Sequence, residues 1–405
     1  MELLMDKFLQ EIKLQGKIYH QSPVAKIVQY LINQAVKLNA SDIHIEPQEK
    51  FVQIRLRIDG KLLIIGKLPL EIAAYLNSYL KLQANLNISE KRLPQDGSIL
   101  NQENIRLSVI PTLYGEKMVL RLLPKRNDLL ALDNLNFSRE NLAILRKLLS
   151  LNGGIIAVTG PVNSGKTTLL YAMLNYLNKE DVNIVTIEDP VEVKLNGINQ
   201  MQVNLPAGLD FSTALRAVLR QDPDIVMIGE IRDDIVAKEA IRAALTGHLV
   251  LSTLHTKNAL TIPARLLNMG VNPDLLAISF AGGISQRLVR KICPKCKTAY
   301  TIKKHSLETL VLGKYAHEGM ELFKGAGCAF CHYSGYSGRF ALQEIFTSNA
   351  EIQRLIASGE VDLKLKRIAN LGGMQSLLDD GINKILAGQT TATEIWRVLN
   401  GIYLN

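Results

Sequence analysis

The sequence predicts an α/β protein in which a smaller α+β domain precedes a larger domain built on a mainly parallel sheet. Up to about residue 124, segments of alternating apolar and polar residues follow helical patterns, and Asp59-Gly60 is a hairpin signal. Beyond Leu151, strand and helix patterns alternate, which is typical of a parallel sheet with helices on both faces. Two pairs of cysteines and then a helical C-terminal part follow.

The first domain is predicted to begin with an amphipathic helix. Ser22 can cap this helix, and apolar residues recur behind it at helical spacing. In a later strand Arg55 and Arg57 lie two residues apart, so their side chains project from one face. Two guanidinium groups on one face can bind phosphate, although a solvated face of a half-buried sheet is an equal alternative. Further candidates by the same reasoning are Arg92, Arg106 and Arg121.

The stretch GPVNSGKTT predicts a phosphate-binding loop. It fits the template Gly-x-x-x-x-Gly-Lys-Ser/Thr, with an apolar strand at 155–158 before it and a helical pattern at 167–177 after it. In such a loop the backbone N–H groups surround phosphates, Lys166 reaches the outer phosphates and the Thr167 hydroxyl holds magnesium. The predicted phosphate-binding residues are Gly160, Pro161, Val162, Asn163, Ser164, Gly165, Lys166, Thr167 and Thr168.

Two apolar strands are predicted to end in carboxylates. Glu188, Asp189 and Glu192 close the first strand, and Glu230 follows the second at 225–228. Because α/β sheets bind ligands at the C-terminal ends of parallel strands, these groups can act on a phosphate. Glu230 is predicted to orient or deprotonate the attacking water, and Glu188 or Asp189 to hold magnesium through water. Helix caps or solvated turns remain the alternative for the first group.

Two histidines bracket the next apolar strand. His248 and His255 lie seven residues apart in TGHLVLSTLHT, and each could be an ordinary structural histidine. The alternative is that together they sense the γ-phosphate and relay its loss to a neighbouring element.

All four cysteines of the chain occur in two C-x-x-C pairs. Two such turns suit a tetrahedral zinc site, with a redox pair as the alternative and His332 as a weaker ligand candidate. The predicted zinc ligands are Cys293, Cys296, Cys328 and Cys331. Basic residues nearby are predicted to form a solvated face rather than a nucleic-acid reader, and these are Arg287, Arg290, Lys291, Lys295 and Lys297.

The composition agrees with a protein of several soluble domains. The chain has 405 residues, of which 47% are hydrophobic, and its formal net charge of +9 favours acidic partners such as a nucleotide, an anionic membrane surface, an acidic protein or nucleic acid. It contains neither an apolar run long enough to span a membrane nor the apolar core of a signal peptide. A cytoplasmic location is therefore expected.

The motifs divide the chain into five predicted segments. These are a short N-terminal tail at 1–21, an α+β domain at 22–124, an α/β nucleotide-binding domain at 128–290, a tetra-cysteine zinc module at 291–345 and a helical C-terminal subdomain at 346–405. The polar turn around 124–127 is the predicted linker.

Ten separated motifs together resemble the secretion ATPases of bacterial type II secretion and type IV pilus assembly. The resemblance runs from about Ser22 to the C-terminus, and its motifs are SDIHIEP, RIDG, RLPQDG, GEKMVLRLL, GPVNSGKTT, TIEDPVE, GEIRD, TGHLVLSTLHT, ISQRLVRKICPKC and GMQSLLDDGINKILAG. It implies a RecA-like P-loop ATPase domain preceded by a smaller α+β, PAS-like domain. In the family's terms, 160–168 is the phosphate loop, 186–192 the aspartate box, 225–233 the Walker B segment and 246–256 the histidine box.

The same resemblance implies a hexameric motor that hydrolyses ATP at the cytoplasmic face of the inner membrane. Its implied partners are an inner-membrane platform protein and a cytoplasmic adaptor, through which it associates with the membrane, and direct binding of nucleic acid is not expected. The implied cofactors are ATP, Mg²⁺ and Zn²⁺. The implied output is assembly of a type IV pilus or of a type II secretion pseudopilus.

Several details refine the resemblance. Arginines of the first domain reach the nucleotide in the family, which suggests this role for Arg55, Arg57, Arg92 and Arg106 in a cleft between two domains. Retraction ATPases of the superfamily lack the C-x-x-C pairs, so these pairs favour an assembly or secretion motor. Ser98 stands where the family commonly has arginine. With some twenty residues before Ser22, either recruitment is expected to use a surface other than an extra N-terminal domain, or the sequence is a truncated form.

Besides a nucleotide-gated assembly scaffold that would bind ATP without hydrolysing it, two alternatives stay open at this point. One is a competence pseudopilus motor for DNA uptake, which is also short. The other is a RecA-like nucleic-acid translocase or helicase, since the basic charge and the cysteine pairs would also suit DNA.

Overall fold

The computed structural model describes residues 22–99, 105–122, 127–361, 365, 367–369 and 373–400. The predicted tail at 1–21 and residues 124–126 of the predicted linker lie outside them. The chain divides into two compact units, Met1–Lys125 and Arg126–Asn405. Among the described residues, no helix has both the length and the apolar character that crossing a membrane requires.

In the first unit, the described residues form a six-stranded antiparallel sheet and two helices. The strand order is β3-β2-β1-β6-β5-β4. The elements are α1 (Ser22–Lys37), β1 (Ala40–Pro47), β2 (Phe51–Ile58), β3 (Lys61–Pro69), α2 (Ile72–Gln83), β4 (Gln95–Ile99), β5 (Ile105–Thr112) and β6 (Gly115–Leu122). This is the α+β architecture that the sequence predicts for the first domain.

One apolar core joins the helices of the first unit to its sheet. Ile27 of α1, Leu76 of α2 and Ile54 of β2 are all buried in it. The hairpin signal is also confirmed, because Asp59 and Gly60 join β2 to β3 with φ angles of 47° and 83°. A tight hairpin turn of this kind needs positive φ at both central residues.

Strand β4 was not predicted from the sequence. Its residues QDGSI contain Asp, Gly and Ser, which are typical of turns. The strand forms at the sheet edge through pairing with β5, from Gln95 opposite Val109 to Ile99 opposite Ile105. Tertiary pairing thus overrides the local preference.

The second unit contains a seven-stranded sheet in the order β15-β12-β7-β11-β10-β8-β9. Its pairs are parallel except for β12 with β15. The strands are β7 (Gly154–Thr159), β8 (Ile184–Glu188), β9 (Asn199–Gln202), β10 (Ile225–Ile228), β11 (Leu249–Leu254), β12 (Phe280–Ile292) and β15 (Tyr336–Thr347), and a separate pair is β13 (Lys297–Thr301) with β14 (Glu321–Gly325).

Helices cover both faces of the seven-stranded sheet, as the sequence predicts. Ile155 of β7 lies in one core with Ile241, whereas the next residue, Ile156, lies in another with Leu170. The helices are α3 (Arg139–Leu149), α4 (Lys166–Leu177), α5 (Phe211–Val218), α6 (Asp234–Leu245), α7 (Ile262–Asn268), α8 (Pro273–Ser279), α9 (Leu307–Leu312), α10 (Ala350–Ala357), α11 (Leu377–Leu386) and α12 (Ala392–Leu399).

The cysteine-bearing segment leaves the sheet after β12 and returns to it in β15. Ile292 near the end of β12 lies opposite Tyr336 at the start of β15. β12 crosses the predicted segment boundary at 290/291, and β15 crosses the one at 345/346. Helices α11 and α12 pack against this strand pair in one core that includes Val289 and Ile395. A helical C-terminal part is therefore present.

Candidate functional site

The loop between β7 and α4 lies at the C-terminal edge of the parallel strands. β7 ends at Thr159 and α4 begins at Lys166, so the predicted strand and helix flank the loop. Gly165 precedes the helix with a φ of 87°, a left-handed conformation that suits glycine. A Cβ added to Gly160 would lie 2.5 Å from the backbone oxygen of Gln286, which leaves no room for a side chain.

The Lys166 ammonium group lies against this loop. Its Nζ donates to the backbone oxygens of Gly160, at 2.9 Å, and Pro161, at 3.0 Å. Burial lowers the pKa of Lys166, and the nearby Glu230 carboxylate opposes that change. Since both hydrogen-bond partners are neutral carbonyl groups, an anionic phosphate would be a stronger partner for the ammonium. The loop therefore fits a nucleotide phosphate.

Thr159 fixes the start of the loop to the end of the neighbouring strand β11. Its Oγ1 donates to the Leu254 oxygen at 3.0 Å and accepts from the Thr256 backbone N–H at 2.8 Å. In the chain, His255 lies between Leu254 and Thr256, and its side chain is exposed at the same C-terminal ends of the parallel strands. The phosphate loop and the end of the predicted histidine box are thus held together.

Glu230 follows β10 at the same edge of the sheet. Its carboxylate forms an ion pair with Arg232 and lies 3.8 Å from Nε2 of His255. The hydrogen bond to Glu230 raises the pKa of Arg232. The Glu230 side chain keeps 18% of its surface exposed, so water can reach it. The position of this carboxylate suits the predicted role of orienting water.

Glu188 lies in a different environment from the one that the sequence suggested. It is buried, and its carboxylate accepts hydrogen bonds from the Tyr171 hydroxyl, from Thr186 Oγ1 at 2.6 Å and from Gln200 Nε2 at 3.0 Å. These three donors hold the Glu188 carboxylate in a buried network, and its predicted contact with a metal-bound water stays a prediction. Asp189, the next residue, is exposed.

The hydroxyl of Tyr171 joins α4 to the acidic segment. It donates to Glu188 and accepts from the Glu192 backbone N–H at 3.1 Å. Burial and the neighbouring carboxylate raise the pKa of Tyr171, so the hydroxyl keeps its proton at ordinary pH.

Replacing Tyr171 by Phe is expected to destabilise this unit by about 1–3 kcal/mol, because a buried carboxylate loses a donor. The measurement is the free energy of unfolding in urea. Tyr176→Phe is the matched control, since Tyr176 lies on the same helix and is exposed. Equal losses in the two variants would contradict the role of the Tyr171 hydroxyl.

The two predicted histidines do not lie together. His255 follows β11 beside the phosphate loop, whereas His248 precedes β11 at the opposite edge of the sheet. Six strand residues separate them, which corresponds to about 20 Å. His248 instead contacts the oxygen of Ala243 at 2.9 Å and Thr246 Oγ1 at 3.1 Å through Nδ1. Within one chain, the structure therefore brings only His255 of this pair to the site.

The family model described as "Type II/IV secretion system protein" matches residues 18–397 of this chain. The chain belongs to this family of secretion ATPases. It shares with the family the RecA-like P-loop domain and the α+β domain before it, as the sequence motifs predict.

Curated relatives of this chain include proteins of pilus assembly and of type II secretion. A type IV pilus assembly ATPase, PilB, of Thermus thermophilus is 44% identical over 380 residues. A putative type II secretion system protein E of Escherichia coli is 44% identical over 390 residues. Both alignments cover 93% of this chain, but they cover 43% of the first relative and 77% of the second. The chain thus spans less than half of the length of the Thermus protein.

Solved structures show the same fold. The pilus retraction motor PilT with bound ADP is 26% identical, with a TM-score of 0.62, and the alignment covers 90% of this chain and 95% of that one. The Legionella pneumophila ATPase DotB has a TM-score of 0.67 at 21% identity, over 94% of this chain and 96% of its own. The second likeness concerns the fold alone.

The four cysteines of the chain converge on one point. Their Sγ atoms all lie within 4.8 Å of one another. Neighbouring sulfurs are 3.9 Å apart for Cys293 and Cys328, 3.8 Å for Cys296 and Cys331, and 3.7 Å for Cys328 and Cys331. A zinc ion bound tetrahedrally by thiolates at about 2.3 Å places its sulfurs about 3.8 Å apart. The cluster therefore fits zinc, and these distances are too long for disulfide bonds.

Backbone groups around the cluster also suit thiolates. The Gly327 N–H donates to Cys296 Sγ at 3.3 Å, and the Cys328 N–H donates to Cys331 Sγ at 3.3 Å. Burial would raise the pKa of the Cys331 thiol, but the N–H groups of Cys328 and Gly335 outweigh burial and lower this pKa to about 6, whereas burial raises the pKa of Cys293 and of Cys296. Such donors stabilise metal-bound sulfur.

The predicted basic face near the cysteines is only partly confirmed. Lys291, Lys295 and Lys297 are exposed, but Arg287 and Arg290 are buried. Arg290 donates from Nη2 to the fully buried Glu394 on α12 at 2.6 Å, and Arg287 donates to the backbone oxygen of Lys257 at 2.9 Å. The prediction was wrong for these two arginines because their partners are distant in sequence, Glu394 lying 104 residues from Arg290 and Lys257 lying 30 residues from Arg287.

The candidate arginines of the first unit lie in ion pairs or near the sheet. Arg55 donates to Glu46 at 2.7 Å, Arg57 lies 3.5 Å from Asp42, and both project from β2. Arg92 is 88% exposed and pairs with Glu90. Among the described residues, Nη2 of Arg106 on β5 is buried without a hydrogen-bond partner. A role toward a nucleotide stays a prediction for all four, and Arg121 pairs with Asp42 at 3.1 Å.

Proposed function

We propose that this chain is an ATP-hydrolysing motor that drives assembly of a type IV pilus or of a type II secretion pseudopilus. The observation that carries the proposal is the phosphate loop, in which the Lys166 ammonium donates to the neutral carbonyl groups of Gly160 and Pro161. Membership of the family and the named relatives from pilus assembly and type II secretion support the choice of machine.

Each group at the sheet edge has a proposed part in hydrolysis. The backbone N–H groups of residues 160–168 and the Lys166 ammonium bind the phosphates of ATP, and the Thr167 hydroxyl binds Mg²⁺, which neutralises phosphate charge. Of the two predicted carboxylates, Asp189 is the one we propose to accept a hydrogen bond from metal-bound water, because Asp189 is exposed. Glu230 orients the attacking water, since positioning is most of what a protein contributes to phosphoryl transfer.

We further propose that His255 senses the state of the nucleotide through Glu230. The two side chains lie 3.8 Å apart, so a change at the carboxylate alters the imidazole environment directly. Glu188 is assigned a positioning role, since it holds the acidic segment against α4 through Tyr171.

The proposed assembly is a homohexamer that works with an inner-membrane platform protein and a cytoplasmic adaptor at the cytoplasmic face of the inner membrane. The family supports this assignment, and the net charge of +9 is compatible with an anionic membrane nearby. Zinc is proposed as a structural ion at the four cysteines, whose geometry fits it.

The proposal is tested with the purified chain in an ATP hydrolysis assay at several Mg²⁺ concentrations. Hydrolysis that requires Mg²⁺, a mass six times that of the chain by light scattering, and stimulation by vesicles carrying a platform protein are the expected results. Stimulation by double-stranded DNA with a steep salt dependence, and none by the vesicles, would favour a nucleic-acid translocase instead. A chain that binds ATP but does not hydrolyse it would contradict the motor.

A further inference from the structure

Gln286 lies on β12, one residue beyond the last residue that pairs with the neighbouring strand β7. Ser285 is the last residue of β12 that pairs with β7, and it lies opposite Thr159. Gln286 therefore lies beside the first residue of the phosphate loop, with 3% of its surface exposed. Gln286 belongs to the motif ISQRLVRKICPKC, but it was not among the predicted site residues.

Gln286 contacts the loop through its backbone and through its side chain. Its Nε2 donates to the backbone oxygen of Ser164 at 2.8 Å. A Cβ added to Gly165 would lie 2.7 Å from this Nε2, and one added to Gly160 would lie 2.5 Å from the Gln286 backbone oxygen. Both glycines of the phosphate-loop template therefore pack directly on one residue of β12.

The hydrogen bond to Ser164 determines the direction of the next backbone N–H. In a trans peptide the carbonyl group and the following N–H point in opposite directions. Because the Ser164 oxygen is held toward Gln286, the Gly165 N–H points away from β12. Backbone N–H groups of such a loop are the groups that bind phosphate.

Two buried polar atoms beside this hydrogen bond are unpaired. Among the described residues, neither Oε1 of Gln286 nor Oγ of Ser164 has a hydrogen-bond partner. A hydroxyl donor and an amide acceptor are thus both left unsatisfied next to the loop, which is costly in a buried position.

We propose that Gln286 is a positioning residue that holds the Ser164 peptide so that the Gly165 N–H faces the bound phosphate. Gln286 acts through the loop and does not itself touch the nucleotide. This role rests on the proposed ATP site, and it adds a strand outside the loop to the elements that determine affinity for the nucleotide.

Gln343 provides a matched control for testing this role. It lies directly opposite Gln286 in the pairing of β12 with β15, and it is also buried. Its Nε2 donates to the backbone oxygen of Leu135 at 3.0 Å, and its Oε1 likewise has no partner among the described residues. Both glutamines are thus buried, and each donates from its side chain to a backbone oxygen. The Leu135 oxygen that Gln343 contacts lies outside the phosphate loop.

The experiment compares Gln286→Met with Gln343→Met in the full chain. We expect Gln286→Met to weaken ATP binding about tenfold and to raise KM more than it lowers kcat, because one oriented N–H is lost. Gln343→Met is expected to leave the ATP dissociation constant within about twofold of the unchanged chain, although both variants lose similar thermal stability. Titration with a fluorescent ATP analogue gives the affinities.

Equal ATP affinities in the two variants would overturn the proposal. If Gln286→Met does not fold, Gln286→Asn is compared with Gln343→Asn, because the shorter side chain withdraws the amide from Ser164 while keeping it polar. The same tenfold difference is expected, and its absence overturns the proposal equally. Absence of ATP binding by the unchanged chain would refute the proposed function, and with it this inference. If the unchanged chain binds ATP and the two variants bind it equally well, only the proposed role of Gln286 is refuted.

Discussion

Replacing Glu230 by Gln is expected to lower ATP turnover by about 10²- to 10³-fold while ATP binding is retained. Glutamine keeps the size of the side chain, but it lacks the negative charge that orients or deprotonates the attacking water. Binding persists because the loop and Lys166 are unchanged, and the bonds of Lys166 to Gly160 and Pro161 do not involve Glu230. Single-turnover phosphate release gives the rate, and titration with an ATP analogue gives the affinity.

Glu180→Gln is the control for this experiment. Glu180 is exposed after α4 and lies outside the acidic segments at the sheet edge, so its replacement is expected to leave turnover within about twofold of the unchanged chain. Near-normal hydrolysis by Glu230→Gln would contradict the proposed role of Glu230. The next candidates for orienting the attacking water would then be Asp189 and Glu192, which follow the neighbouring strand β8.

Replacing Cys293 by Ser is expected to abolish zinc binding and to destabilise the cysteine module by several kcal/mol. A serine hydroxyl is a poor zinc ligand, and the binding free energy of a structural zinc contributes directly to folding. Cys293 is fully buried, so no solvent ligand replaces it easily. The expected results are one zinc ion per unchanged chain by elemental analysis, none per variant, and a melting temperature lower by about 10 °C or more.

A chelator supplies the internal control for zinc. It is expected to lower the melting temperature of the unchanged chain to that of Cys293→Ser, and to have little further effect on the variant. Thr298→Ser, an exposed change on β13 close to the cysteines, is expected to bind zinc normally. A metal-free chain of full stability, or loss of free thiols on oxidation with formation of disulfides, would contradict a structural zinc site.

The parts of the site that the sequence predicts are those encoded in contiguous residues. GPVNSGKTT and the apolar residues just before it predict a strand, a tight loop and a helix start in one contiguous segment. Their local structure can therefore be predicted without knowledge of distant contacts. Cysteines are similarly informative because two C-x-x-C pairs allow few other arrangements, and all four converge in the fold. The alternation of strands and helices also suffices for the fold class.

What the sequence could not provide depends on contacts between distant residues. Glu188 was predicted, with Asp189, to hold magnesium through water because α/β sheets bind ligands at the C-terminal ends of parallel strands. The sequence did not predict that Tyr171, on α4, and Gln200, on β9, supply its donors. His248 and His255 looked equivalent in sequence, but only the direction of β11 shows which of them reaches the loop. The contact of Gln286 with Ser164 joins residues 122 positions apart.

The pairing of Ile292 with Tyr336 has a consequence for how this chain tolerates change. Because the segment between these residues leaves the sheet and re-enters it at adjacent positions, its length can vary without any change in strand order, and lengthening a closed loop costs little entropy. Insertions within 293–335 that keep the four cysteines in place should therefore be accommodated by the sheet, and their main cost should arise where the segment packs on α11 and α12. The part of the segment between Cys296 and Cys328 is therefore a suitable place to graft a reporter domain.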